Sequence, residues 1–260
     1  MQATEGSNLV GIPSGLLNSA RFHRYPLPLH IHGTREVHSA LFGRLASAAD
    51  LEDGAGMFQE YMEKTFLDPG KMSRHRKFHA YYQRLLRGWG YDSNSPEGAV
   101  LKAWVESRFG LMPTFHREVI RRVGDAGWIR YTMDRMSGRF NNNAIWDQLD
   151  ILFEFAQWAA RRFFGPGRRH LRLYRGTNDF LEHPMLWQSG ARQGVIHLNN
   201  LVSFSSDREV AGMFGDYLLE IDVPLVKLLF FNGMFPCPAL HAESEYLVIG
   251  GPYHACLHYY

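Results

Sequence analysis

Two glutamates one residue apart, Glu243 and Glu245 in "HAESEYLVIG" (241–250), stand at the mouth of an apolar run. On a β-strand alternate side chains share a face, which puts the two carboxylates about 6.5–7 Å apart along the strand, with Ser244 turned away. Held so, they repel one another and raise the proton affinity of one of them, a cost that a bound cation or a substrate using both would offset. The alternative is an exposed strand edge, where acidic side chains discourage aggregation. In "LYRGT" (173–177), Arg175 ends a strand and Gly176 lets a ligand come close to the backbone. An arginine there can hold phosphate through two parallel N–H contacts, or be a surface residue before a turn. In "LVSFSSDREVAGMFG" (201–215), Ser203 and Ser205 share one strand face, and Asp207 can cap a short helix that carries Ala211 and leads to Phe214. Serines at a strand end are also common turn formers.

In this order, Arg175, then Ser203-Phe204-Ser205 with Ala211 following, then Glu243-Ser244-Glu245 before an apolar strand, the chain resembles the arginine-specific mono-ADP-ribosyltransferases. That superfamily is marked by an arginine, an S-x-S strand and an E-x-E. With "HGTREVHSALFGRL" at 32–45, a long helical first part and the overall length, the whole chain resembles the dinitrogenase reductase ADP-ribosyltransferases, which inactivate the nitrogenase iron protein. The superfamily motifs lie only in the last part of the chain.

The resemblance implies NAD as ADP-ribose donor and a protein arginine as acceptor. Breaking the bond between ribose and nicotinamide passes through an oxocarbenium-like transition state, the charge problem that glycosidases meet with paired carboxylates. By resemblance Glu245 binds the ribose 2′-hydroxyl and stabilises that charge, and Glu243 orients and deprotonates the acceptor guanidinium, otherwise a poor nucleophile. Arg175 holds the NAD phosphates and Gly176 the nicotinamide amide through its backbone. Ser203, with Ser205, lies on the ribose side, and Phe214 stacks on nicotinamide. Phe204 stands where the better-known toxins carry threonine and is expected to face away. Control by a nitrogen-signalling regulatory protein is implied as well.

Composition sets wider bounds. The 260 residues, 45% apolar and 21% charged, can bury a full core. The N-terminus lacks the basic start and apolar stretch of a signal peptide, and the best apolar run, "VPLVKLLFF", is short and contains Lys227. A cytoplasmic protein with no membrane span is expected. Cys237 and Cys256 are too few for a disulfide framework or a thiolate zinc site, so both are expected reduced and partly buried. The net charge of +2 favours no particular partner. Basic residues outnumber acidic ones only before residue 166, which puts an electrostatic docking surface on that part.

Other constellations point less far. His30 and His32 can share a strand face, and His75 and His79 have helix spacing, but Arg76 stands where a zinc protease has Glu. No metal is expected, the histidines being solvated or hydrogen-bonded. "KMSRHRKFHAYYQRLLRGWG" (71–90) reads as an amphipathic helix with Phe78, Tyr82 and Leu85 facing the core. Its basic face can also dock an acidic partner; nucleic acid is not expected. No G-x-G-x-x-G, G-x-x-x-x-G-K or G-x-S-x-G occurs, so NAD is not held in a Rossmann crevice.

The apolar pattern changes period near residue 165. Ser95-Pro96-Glu97 starts a helix closed by Gly110 and Pro113, and residues 142–164 put Ile145, Leu149, Leu152, Ala156, Ala159 and Phe163 on one stripe of a central helix. After "GPGRRH" come short strands: "LRLYRG", "LVSFSS", "YLLEIDVP", "KLLFFNG" and "EYLVIGG". Helices followed by strands predict an α+β protein. Residues 1–165 form a helical part, the partner-docking surface and cleft wall, and 166–260 a β-rich NAD-binding catalytic core, which by resemblance is two packed small sheets around an NAD cleft. Three functions remain open at this point: arginine-directed transfer, to the nitrogenase iron protein or another protein; NAD hydrolysis, with water as acceptor; and a non-catalytic basic docking protein.

Overall fold

The computed structural model describes residues 8–66, 82–136, 142–165, 167–235 and 245–259. The first part is helical: α1 (Ser14–Leu17), α2 (Ala20–Arg24), α3 (Thr34–Val37), α4 (Ser39–Leu45), α5 (Leu51–Phe66), α6 (Tyr82–Tyr91), α7 (Pro96–Phe109), α8 (Ala126–Arg135) and α9 (Asn143–Phe163). A two-stranded ribbon, β1 (Phe115–His116) with β2 (Glu118–Val119), lies between α7 and α8.

Local signals set the two helix starts that the sequence marks. Ser95 caps α7 by accepting from the Gly98 N–H at 3.1 Å, and Gly110, at φ 68°, closes it. Asn142 caps α9 through the Ile145 N–H at 3.0 Å. The predicted stripe of α9 is buried from Ile145 to Ala159, with Phe163 half-buried, and Ile151, Phe153 and Phe155 on its other faces are buried too. A helix that buries side chains on several faces belongs in the centre of a core. Accordingly α9 touches α3, α5, α6 and the sheet.

The segment 32–45 is tied to α9 by polar contacts. Glu154, fully buried, accepts from the Ile31 N–H at 2.7 Å and meets His30 and Arg35, while His38 Nε2 lies 3.0 Å from Asp147. His30 sits in a loop, not on the strand that a His30–His32 pair needs, and its other ring nitrogen meets Arg161. That is the hydrogen-bonded alternative. His75, His79 and Phe78 lie outside the described residues, and Tyr82 and Leu85 are fully buried as expected.

The second part is an antiparallel sheet of β3 (His170–Thr177), β4 (Met185–Ser189), β5 (Gln193–Ser205), β6 (Tyr217–Pro224), β7 (Leu228–Phe231) and β8 (Glu245–Tyr259), with α10 (Arg208–Gly212) between β5 and β6. This is the α+β class read from the sequence. The strand order is β4-β5-β3-β6-β8-β7, and β5 also pairs with β8. The register of β5 on β8 shifts between Leu198 and Leu201. There a Cβ on Gly250 would lie 1.7 Å from the Asn199 carbonyl oxygen, so only glycine fits. One limb of the sheet carries β7 and the pairs Ser203↔Leu247 and Ser205↔Glu245; the other carries β4 and β6. Tyr174↔Ser205 joins β3 to β5, so the limbs share strands.

Two strand expectations change. β4, with four of its five residues exposed, shows no buried alternation from which to read a strand. The strand expected to begin at Lys227 begins one residue later, after a 3-10 turn, Leu225–Lys227. Lys227 is fully buried and donates to the Leu17 and Gly250 carbonyls, so it belongs to the turn beneath the sheet.

One hydrophobic cluster contains helical Tyr82, Trp104 and Phe155 together with Leu173, Val202 and Ile249 of the strands. Among the described residues no helix is long and apolar enough to cross a membrane. Cys256 is free and half-buried; Cys237 lies outside the described residues.

Candidate active site

A cleft of about 420 Å³ opens where β3, β5 and β8 meet, and Arg175, Gly176, Ser203, Ser205, Phe214 and Glu245 all line it. Glu243 lies outside the described residues. The β5–β8 register brings the serine strand beside the glutamate. Glu245 faces Ser205, and Ser203 lies diagonally two residues along. The Ser203 hydroxyl donates to Glu245 Oε1, and Glu245 is 4% exposed. Phe204 is buried in the core, which fits its place on the other strand face.

Trp89 completes this line from the helical part. Its indole N–H donates to Ser203 Oγ at 2.7 Å. A hydroxyl can accept one bond while donating another, so Trp89 and Glu245 together fix the direction of the Ser203 proton.

Arg175 reaches across the floor of the cleft. Nη1 donates to the Ser203 carbonyl at 2.9 Å, and Nη2 lies 3.6 Å from Glu182 Oε2. Its Nε is buried with no hydrogen-bond partner. Among the described residues lining the cleft, Arg175 is the one cation, against Asp179, Glu182 and Glu245.

Behind the arginine lies a buried polar cluster. Burial presses Lys102 down to about 8, and its ammonium donates to Asn94 Oδ1 and the Phe115 carbonyl. Burial first, and Arg175 second, push His183 down to about 3, so its ring is neutral. Burial alone would raise Glu182, yet its carboxyl is held below the usual range. The causes acting against burial are His183, then Arg175 and Lys102, helped by the Asn199 amide at 3.2 Å.

Gly176 meets protein as well as cleft. A Cβ there would lie 2.2 Å from the Ala211 carbonyl oxygen, so its glycine lets α10 cross β3 closely. Asp207 caps α10 as expected, accepting from the Glu209 and Val210 N–H groups. Ser205 Oγ accepts from the Asp207 N–H at 3.0 Å, helping the turn that leads to Phe214, which is 51% exposed.

Glu182, Trp89 and Lys102 were not singled out by the sequence reading. Trp89 had one usable signal, its spacing of seven and four from Tyr82 and Leu85 on a helix. Glu182 and Lys102 had none: Glu182 lies in an irregular loop after β3, and Lys102 reaches Asn94 and Phe115, which lie beyond either end of α7. A second cleft, about 470 Å³, is lined by Arg24, Arg172, Trp187 and Tyr253 and holds none of the expected site residues. Its Arg172 is already engaged by Asp222 and Glu220.

Among known proteins, residues 7–257 match the family described as dinitrogenase reductase ADP-ribosyltransferase (DRAT). A relative, NAD(+)--dinitrogen-reductase ADP-D-ribosyltransferase of Rhodospirillum rubrum, is 52% identical over 255 residues, which covers 95% of this chain and 92% of the relative. No solved structure matches. With the family match spanning nearly the whole chain, this protein belongs to the dinitrogenase reductase ADP-ribosyltransferase family.

Proposed function

We propose that this chain transfers ADP-ribose from NAD to an arginine of dinitrogenase reductase, the nitrogenase iron protein, and that the donor binds in the cleft around Ser203 and Glu245. The observation that carries the reading is a buried carboxylate, Glu245, held by Ser203 beside Arg175, in a chain 52% identical to a relative named for that reaction.

The residues present fit NAD. The cleft volume falls within the range of about 300–1,000 Å³ usual for small-molecule sites. NAD joins an anionic pyrophosphate to a cationic nicotinamide ring, and among the described residues the cleft lining offers one cation beside carboxylates. The unpartnered Arg175 Nε supports a further acceptor at that guanidinium.

NAD supplies a ribose–nicotinamide bond whose cleavage develops positive charge on the sugar. Glu245, fixed before the reaction by Ser203, stabilises that charge at little reorganisation cost, and is the ribose 2′-hydroxyl partner. Arg175 binds the phosphates, Gly176 offers backbone groups to the nicotinamide amide, and Phe214 stacks on its ring. Ser203 and Ser205 flank the ribose. Glu243 orients the acceptor guanidinium and takes its proton.

Residues 166–260 are the NAD-binding catalytic core, and residues 1–165 supply partner docking and one cleft wall. Trp89 and Phe115, both from the first part, reach the site. A cytoplasmic location and a nitrogen-signalling regulatory partner belong to the same reading.

Incubation with labelled NAD and purified dinitrogenase reductase tests it. Labelled acceptor with matching nicotinamide release is expected. Nicotinamide release without label supports an NAD glycohydrolase, and neither product supports a docking protein; either result overturns the proposal.

A further inference from the structure

Among the described helices, α8 alone exposes a row of large apolar side chains. Ile129 is 52% exposed, Met133 70% and Met136 65%, at intervals of four and three residues, so they form one stripe. Val123, just before the helix, is 68% exposed. The inner face of α8 is anchored by polar contacts. Tyr131 donates to Glu106 at 2.6 Å, Arg135 to the same carboxylate at 2.8 Å, and Asp134 meets buried His116 at 2.9 Å. The helix is therefore seated, and its outer stripe has nothing to cover within the described residues.

Arginines rim this stripe. Arg121 and Arg122 are exposed in the loop that enters α8, and neither guanidinium has a carboxylate within ion-pair distance among the described residues. Asp125, in the same loop, accepts from the N–H groups of Arg121, Arg122 and Trp128. These bonds, with a smaller contribution from the charge of Arg122, hold its carboxyl below its usual range, and they fix the loop that presents the arginines. Arg130 lies on the same exposed side, with Glu118 at a marginal 3.9 Å. An exposed apolar row of Met and Ile edged by exposed arginines has the make-up of an interface and complements an acidic surface with an apolar centre.

This face is built on the wall of the cleft. α8 packs on β1 and α7, and Phe115 of β1 lines the cleft. Thr114, next to it, donates through its hydroxyl to the Glu182 carbonyl and through its N–H to Asn199. We propose that the outer face of α8, Val123, Ile129, Met133 and Met136 with Arg121, Arg122 and Arg130, docks an acidic patch on the acceptor protein. The inference rests on the transfer reaction proposed above and adds where the acceptor is held.

Two full-length variants test it, the double charge reversal Arg121→Glu/Arg122→Glu and the separate Met133→Asp. Binding to purified dinitrogenase reductase is measured by interferometry at low and near-physiological salt, beside label transfer and nicotinamide release without acceptor. The charge reversal should weaken binding about tenfold or more and remove most of its salt dependence. Met133→Asp should weaken binding at both salt concentrations. In both, the KM for acceptor rises, while nicotinamide release, which reports an intact fold and cleft, stays at the wild-type level. Unchanged binding in both variants overturns the proposal, as does wild-type chain that does not bind the acceptor. A wild-type dimer that the variants dissociate, with acceptor binding unchanged, overturns it in favour of self-association. Wild-type chain that binds the acceptor but leaves it unlabelled overturns the transfer reading, and the binding results of the variants still decide the docking face.

Discussion

The indole N–H of Trp89 donates to Ser203 Oγ at 2.7 Å, across 114 residues of sequence, and leaves that hydroxyl's proton aimed at Glu245. A helix of the first part thereby orders the carboxylate at the floor of the second. Trp89→Phe keeps the ring and removes the donor. Losing one neutral hydrogen bond of about 1 kcal/mol should slow nicotinamide release about fivefold. The unfolding midpoint should move little, and steady-state rates with thermal melts on one preparation separate the two effects.

Arg175→Lys should weaken NAD binding at least about tenfold in a calorimetric titration, because an ammonium lacks the two-pronged geometry of a guanidinium. The arginine also holds the Ser203 carbonyl and faces the buried Glu182, so a lower unfolding temperature should accompany the loss. Unchanged NAD affinity would remove Arg175 from the phosphate role.

Gly176→Ala forces a methyl group against the Ala211 carbonyl, a backbone atom that cannot turn aside. Overpacking of this kind costs about 1–3 kcal/mol. Thermal unfolding should drop by several degrees and NAD affinity should fall with it, since α10 leads to Phe214.

What the sequence reveals is what neighbours along the chain decide. The caps at Ser95, Asn142 and Asp207 act within a few residues, and the α9 stripe follows from periodicity alone. Arg175, Ser203, Ser205, Phe214 and Glu245 were readable as a motif and converge on one cleft. Trp89 enters that site through a partner 114 residues away, and Glu182 closes on Arg175 from the irregular loop after β3, which has no period to read. Lys227 misled for the same reason: inside an apolar run it reads as a strand residue, and only the fold supplies the two carbonyls it reaches.

Burial pulls Lys227 down to about 7, far below the ordinary lysine value of 10.5 that the unfolded chain shows. Between those values the unfolded state binds the extra proton, so this lysine makes stability rise with pH above 7. Below 7 both states are protonated and its contribution is flat. Lys102, pulled down to about 8, adds the same slope starting higher. Thermal melts from pH 7 to about 9.5 should show the unfolding temperature rising in wild type and rising less in Lys227→Met. Equal slopes in the two proteins would mean that the lysine is not buried in its amine form.

The separate roles of the glutamate pair are the centre of this account, and parallel assays of nicotinamide release and acceptor labelling on Glu245→Gln and Glu243→Gln test them most directly. Glutamine is nearly the size of glutamate, so packing is preserved while the charge is lost. If Glu245 stabilises the charge developing on the ribose, Glu245→Gln should suppress both activities by about two to three orders of magnitude, as loss of a preorganised electrostatic partner does. If Glu243 serves only the acceptor, Glu243→Gln should abolish labelling of dinitrogenase reductase and spare most nicotinamide release. Equal proportional damage to both activities by both substitutions would contradict the assignment.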